Sequence, residues 1–205
     1  MNDIRGSYDT VAADYHEILK DNLKDNPYDR AALNLFAELV PAGPVGDLGC
    51  GPGRITTYLA GLGLDAFGID LSPEMVALAR STYPELRFSV GTLFELELKD
   101  DELAGALAWY SLVHTPRSDL PAVFAELHRV VQPGGYLLHA FKVGDGVHHL
   151  SNAYGHDLDL DVYWYDPADI TGLLSDAGFT EVATLTHAPL DYEKQPQAYV
   201  LVRKA

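Results

Sequence analysis

Three glycines at alternate positions, Gly49, Gly51 and Gly53, follow the apolar stretch Val45-Gly46-Asp47-Leu48 and precede a helical pattern of Ile55, Leu59 and Leu62. Glycine tolerates positive φ and carries no side chain, so such a loop turns sharply and brings its backbone against a ligand. At a strand-to-helix junction of an open α/β sheet, that is a binding edge. Spacing decides which ligand. A dinucleotide fingerprint GxGxxG needs Gly or Ala three places after Gly51, where Arg54 stands, and the third glycine comes one residue early. Asp70, at the end of a second apolar run, lies about 20 residues on, near the spacing at which a carboxylate accepts hydrogen bonds from ribose hydroxyls.

The string Asp47-Leu48-Gly49-Cys50-Gly51-Pro52-Gly53 resembles the first motif of the class I S-adenosylmethionine (SAM)-dependent methyltransferases: an acidic residue, an apolar one, then GxGxG. Gly68-Ile69-Asp70-Leu71-Ser72-Pro73-Glu74-Met75 is similar to that family's second motif, with Ser72 as helix cap and Pro73 at the first helical position. Leu127 to Leu138 resembles its structural LxRVLxPGGxLL segment, and Tyr8-Asp9-x-x-Ala12-x-x-Tyr15 resembles an N-terminal lid in which a tyrosine covers the cofactor. Tyr154-Gly155-His156 and the ending Ala198 to Arg203 look most like small stand-alone bacterial members.

The resemblance implies SAM as cofactor, with S-adenosylhomocysteine (SAH) as product. It assigns the cofactor to Tyr15, Asp47, Gly49, Gly51, Gly53, Asp70, Leu71 and Met75, with Tyr110 and Ser111 after the fourth strand. Family members usually carry an acidic residue where this chain has Thr92. Thr92 offers only a hydroxyl, so adenine is expected to rest mainly on backbone groups around Thr92 and Leu93.

SAM brings its own leaving group, so the protein's task is to align nucleophile, methyl and sulfur in a dry site. A base is needed only for an acceptor that arrives protonated. His114, just past the fourth strand on the carboxyl edge, is the candidate catalytic base; a loop histidine holding the chain by hydrogen bonds is the alternative. The long segment from Lys142 to Tyr165 breaks the strand–helix rhythm and reads as a functional or mobile loop. His148, His156 and Tyr163 within it are expected, with Tyr110 and His114, to wall the acceptor pocket. No metal is expected, because the spacing of His148, His149 and His156 matches no recognised ligand set. His139 alternates with buried positions as a core histidine would, and Cys50 reads as a small tolerated residue.

Apolar periodicity supplies the elements that hold these residues. It predicts an amphipathic helix over 8–22 after an unpatterned 3–7, and a helix capped by Asn26-Pro27 with Ala32, Leu35, Phe36 and Leu39 inward. Met75, Leu78, Ala79 and Thr82 are expected to share one helix face; so are Leu120, Val123, Phe124, Leu127 and Val131. Strands are expected over 66–70, 86–90, 103–110 and 136–141, and 179–186 with 198–202 must form an antiparallel hairpin for want of a crossover. The expected fold is α/β: a doubly wound, mostly parallel sheet of seven strands, the number the resemblance implies, with a C-terminal antiparallel hairpin and helices on both faces.

With 205 residues, 47% of them hydrophobic, the chain is expected to be one domain whose residues 1–25 form the lid segment. The single cysteine and the absence of a leader pattern near Met1 suit a cytoplasmic protein, and no apolar run suits a membrane span. A net charge of −16 disfavours nucleic acid and favours a cationic ligand such as a sulfonium. The expected partner is a small-molecule acceptor, and the expected state is a monomer or homodimer. A SAM-binding protein without turnover and a nicotinamide-dependent oxidoreductase are the alternatives.

Overall fold

The computed structural model describes residues 3–205. Nine strands and seven helices follow in chain order: α1 (Ile4–Leu19), α2 (Asn22–Asp25), α3 (Pro27–Leu39), β1 (Pro44–Leu48), α4 (Arg54–Gly61), β2 (Asp65–Asp70), α5 (Pro73–Thr82), β3 (Arg87–Val90), β4 (Leu103–Trp109), α6 (Leu120–Val130), β5 (Val131–Lys142), β6 (Val147–Ala153), β7 (His156–Tyr163), α7 (Pro167–Asp176), β8 (Phe179–His187) and β9 (Gln197–Lys204). Seven strands form one sheet in the order β3-β2-β1-β4-β5-β9-β8. The first five are parallel, and β9 runs antiparallel to both β5 and β8, so the expected fold class is the observed one.

Alternation along the central strands sorts the core into two layers. Ala106, Phe141, Val200 and Val202 face α6 and α7, while Leu107, Leu138, Tyr199 and Leu201 face α3 and α4. β1 pairs with β2 on one side and β4 on the other, so the chain reverses its direction of winding there. The loops leaving β1 and β4 diverge, and the crevice between them is where this kind of sheet binds ligands. Among the described residues, no helix is long and apolar enough to cross a membrane.

Caps set several helix starts: Asn26 accepts from the amides of Tyr28 and Asp29, Ser72 from Met75, and Asp166 from Ala168. Asp3 accepts from the Gly6 amide and starts α1 at Ile4, inside the stretch expected to lack pattern. On α3 the buried arc is Asp29, Ala32, Leu33 and Phe36, whereas Leu35 and Leu39 are exposed. The period was right, but the side on which the helix docks belongs to the sheet it meets. For the same reason Val76 rather than Thr82 completes the buried face of α5, and Leu62, at the end of α4, is exposed. Val131 opens β5 rather than closing α6, and that strand runs through Pro133-Gly134-Gly135.

The largest departure is the expected loop after β5, which is a hairpin of β6 and β7 paired antiparallel outside the main sheet. Tyr154 and Gly155 both have positive φ at its two-residue turn, as a type I′ connection demands. The signal was present as period-two alternation: Leu158, Leu160 and Val162 interleave with Asp157, Asp159 and Asp161.

His139 is fully buried between Phe124 and Phe141. Its Nδ1 lies 2.9 Å from the Ala108 carbonyl, which can only accept, so Nδ1 carries the proton. Burial pushes its pKa down to about 4. An unfolded chain takes up a proton at this residue near pH 6.5, whereas the folded one waits until about pH 4, so falling pH favours unfolding across that window. Between pH 7 and pH 5 this residue alone should remove about 2 kcal/mol of stability. Urea unfolding of His139→Gln at the two pH values should show a loss smaller than wild type by that amount; an equal loss would place the titration elsewhere.

Candidate active site

The glycine loop is tied to β2 by backbone hydrogen bonds from Gly49 and Cys50 to the Ile69 carbonyl, 2.7 and 3.0 Å. Asp70 completes the tie: its Oδ2 accepts from the Gly51 amide at 2.7 Å and its Oδ1 from the Ser72 amide at 2.9 Å. Burial raises the Asp70 pKa, and these two donated bonds oppose the rise. Asp47 lies beneath the loop, fully buried, accepting from Thr56 Oγ1 at 2.7 Å, and burial pushes its pKa up to about 6. Cys50 is buried as well, which raises its thiol pKa well above the usual range and removes it as a nucleophile.

Two of the glycines have different physical reasons. Gly51, at φ +53°, faces open space, where an added Cβ would meet only Tyr15, at 3.9 Å. At Gly53 the same Cβ would lie 2.8 Å from the Phe88 ring, so that residue is small for packing.

Two cavities open at the carboxyl edge. One, of about 140 Å³, is lined by Gly49, Gly51, Asp70, Leu71, Met75, Thr92, Leu93 and Ser111, among others. The second, of about 380 Å³, runs under α1 and the β6–β7 hairpin to the loop between β8 and β9. Tyr8, Tyr15, Tyr110 and His114 line both, so these four side chains are the partition. Tyr110 holds its place with φ +54°, a strained conformation for a non-glycine residue.

α1 closes the partition from above and is fastened at three points. Asp9 Oδ1 accepts from Ser72 Oγ at 2.5 Å, Asp14 meets His156 at 2.8 Å, and Tyr8 Oη lies 2.9 Å from His114 Nε2. The other ring nitrogen of His114 is 2.6 Å from the Asp161 carbonyl. A carbonyl only accepts, so Nδ1 is protonated and Nε2 takes the Tyr8 proton donor. Burial lowers the His114 pKa and keeps the ring neutral, while burial raises that of Tyr8 and keeps it a donor.

Of the twelve residues assigned to the cofactor from the sequence, ten line the smaller cavity: Tyr15, Gly49, Gly51, Asp70, Leu71, Met75, Thr92, Leu93, Tyr110 and Ser111; Tyr8 and His114 stand with them in the partition. Asp47 and Gly53 support the loop from outside the cavity. The three expected acceptor contacts lie elsewhere. His148 is exposed and stacks on Trp164, His156 is committed to Asp14, and Tyr163 faces a separate shallow cleft beside Trp164. The same segment supplies Leu150, Tyr154, Leu158, Leu160 and Val162 to the larger cavity instead. Sequence reasoning chose the polar residues of a loop, and the structure uses the apolar face of a hairpin.

Residues 45–135 match a family described as a methyltransferase domain. Within that span lie the glycine loop, Asp70 and the strand order on which the smaller cavity is built. Over this span, less than half of the chain, the sequence is similar to that family, and the sheet has the class I methyltransferase fold.

The domain is 33% identical over 114 residues to the malonyl-[acyl-carrier protein] O-methyltransferase of Erwinia billingiae, covering 56% of this chain and 44% of that protein. It is 36% identical over 94 residues to an uncharacterised methyltransferase of Mycobacterium tuberculosis, covering 44% of this chain and 36% of the relative. The chain thus spans less than half the length of these relatives. Among solved structures, a SAM-dependent methyltransferase of Methanosarcina mazei superposes with TM-score 0.75 at 17% identity, over 83% of this chain and 96% of that one. The magnesium protoporphyrin IX methyltransferase of Synechocystis, solved with bound SAM, gives 0.74 at 19% identity, over 98% of this chain and 95% of that one.

The smaller cavity offers both polar and apolar groups to a ligand, with Leu71, Met75 and Leu93 on its apolar flank. Asp70 offers a buried carboxylate, Gly51 leaves room where any side chain would intrude, and Ser111 Oγ is buried in the wall without a hydrogen-bond partner. The two glycines should therefore respond differently. Gly51→Ala should lower SAM affinity at least tenfold with about 1–2 kcal/mol lost from stability, the cost of a left-handed residue. Gly53→Ala should cost more stability, because Phe88 must move. Calorimetric titration beside thermal unfolding checks the pair, and tight SAM binding by Gly51→Ala would refute the close approach.

Proposed function

We propose that the chain is a SAM-dependent methyltransferase acting on a small-molecule acceptor, with residues 1–205 working as one domain and residues 1–25 as its lid. The observation that carries this reading is the shared wall: a crevice at the sheet's switch point, lined by the glycine loop and Asp70, meets a larger cavity across Tyr8, Tyr15, Tyr110 and His114. A group-transfer enzyme needs two sites that touch at one point, with water kept out between them.

When bound, SAM supplies an activated methyl group and its own leaving group. Asp70, already aimed into the crevice, accepts hydrogen bonds from the ribose hydroxyls, and backbone groups at Thr92 and Leu93 face the adenine. Thr92 Oγ1 accepts from the Phe94 amide at 3.3 Å, which engages one of its two lone pairs. Tyr8 and Tyr15 exclude water above the partition. His114 is neutral with its Nε2 lone pair towards the partition, so an acceptor that displaces the Tyr8 hydroxyl can pass a proton to it. α1 must shift for ligands to enter, and its three fastenings are polar contacts that can be broken and remade.

SAM titration should show binding, and Asp70→Ala should weaken it by roughly 1.5–3 kcal/mol, the range for hydrogen bonds to a charged group. Following SAH release across a metabolite panel tests turnover, and its absence throughout would leave a binding protein. With a protonated acceptor, His114→Ala should lower kcat by about 10²–10⁴-fold, and the deficit should shrink at high pH as solvent takes the proton. Asp9→Ala removes the fastening of α1 to α5 and should raise the SAM dissociation rate; an unchanged rate would make α1 a fixed wall.

A further inference from the structure

The larger cavity carries a charge opposite to that of the molecule. The chain has 30 acidic and 14 basic residues. Yet three basic side chains, Arg54, Lys142 and Lys194, line this one cavity against two acidic ones, Asp29 and Glu193. Both carboxylates are already engaged. Asp29 accepts from the Tyr199 hydroxyl at 2.6 Å, and Glu193 accepts from the Leu190 amide at 2.8 Å.

The cations are not engaged. Among the described residues, none of the three enters an ion pair with a carboxylate, and Arg54 Nη1 is buried without a hydrogen-bond partner. Lys142 is half-buried at the end of β5, where burial first and the neighbouring Lys194 second lower its pKa. Lys194 is exposed on the loop before β9 and lines the same cavity, so each ammonium raises the cost of charging the other, and a bound anion relieves that repulsion. Lys142 and His114 line the same cavity. The opposite wall is apolar, made by Leu150, Leu158, Leu160 and Val162 of the hairpin.

Resting on the methyltransferase reading above, we propose that the acceptor is an amphipathic carboxylic acid, its carboxylate held by Lys142 and Lys194 and its hydrocarbon body laid against the inner face of the β6–β7 hairpin. Asp29 and Glu193 in the same wall repel a second negative charge, which suits a monoanion better than a phosphate dianion.

Octanoate, octanol, octylamine and octyl phosphate, titrated calorimetrically into the full-length protein with and without saturating SAH, test this. Octanoate should bind at least tenfold tighter than each of the other three. Lys142→Met and Lys194→Met should each reduce octanoate affinity at least fivefold, and Lys142→Arg should restore most of it. Equal binding of octanol, tighter binding of octylamine or octyl phosphate, or undiminished octanoate binding by folded Lys142→Met would overturn the proposal. The ligand comparison uses wild-type protein, so it stands even if a lysine variant does not fold. Titration of SAH alone reports separately on the cofactor site: octanoate preference without SAH binding would remove the methyltransferase reading and leave the anion site.

Discussion

The carboxylate of Asp70 holds two loops at once, accepting the amide of Gly51 on one oxygen and that of Ser72 on the other. Through the first bond it fixes the glycine loop after β1. Through the second it orders the start of α5, whose cap, Ser72, is the residue to which α1 is fastened by Asp9. A buried carboxylate satisfied by two backbone donors is a stiff junction, because withdrawing either donor leaves charge without compensation. The floor of the smaller cavity and the anchor of its roof therefore share one side chain.

The partition between the cavities is built on a different principle. Tyr8, Tyr15, Tyr110 and His114 arrive from α1 and from the loop after β4, and Tyr8 meets Tyr15 and His114 edge to face. Aromatic edges exclude water while leaving room to rotate, and the hydroxyl and ring nitrogen between them keep a proton donor and an acceptor at the meeting point. The His114 tautomer is set from outside both cavities, by a carbonyl of β7. The hairpin outside the main sheet thus does two things: it gives the larger cavity its apolar wall, and it orients His114, one of the four rings that both cavities touch.

Charge is distributed to match. An acidic protein that gathers unpaired cations around one cavity has a local field opposite to its global one, and low-dielectric walls strengthen that field. A sulfonium approaching the molecule from solvent and an anion entering the larger cavity are then drawn by different parts of the same surface.

What the sequence determined by itself is what lies close along the chain. The glycine loop, the acid at the end of the second strand, the helix caps at Asn26 and Ser72 and the closing hairpin of β8 and β9 were legible because each depends on a few neighbouring residues and on backbone geometry. The helix periods were legible as well, though not the face of α3 that docks, since Leu33 and Leu35 differ only in which side meets the sheet. Only the tertiary structure decided the larger cavity. It joins Tyr8 and Val11 to Lys142, Leu160 and Lys194, residues from both ends of the chain and its middle, and no local pattern encodes that meeting. The loop that carries Lys194 shows no motif, and the histidines of the hairpin drew attention by their chemistry while its leucines do the lining. Residue type suggested what could react; which face of each strand turned inward decided what can be touched.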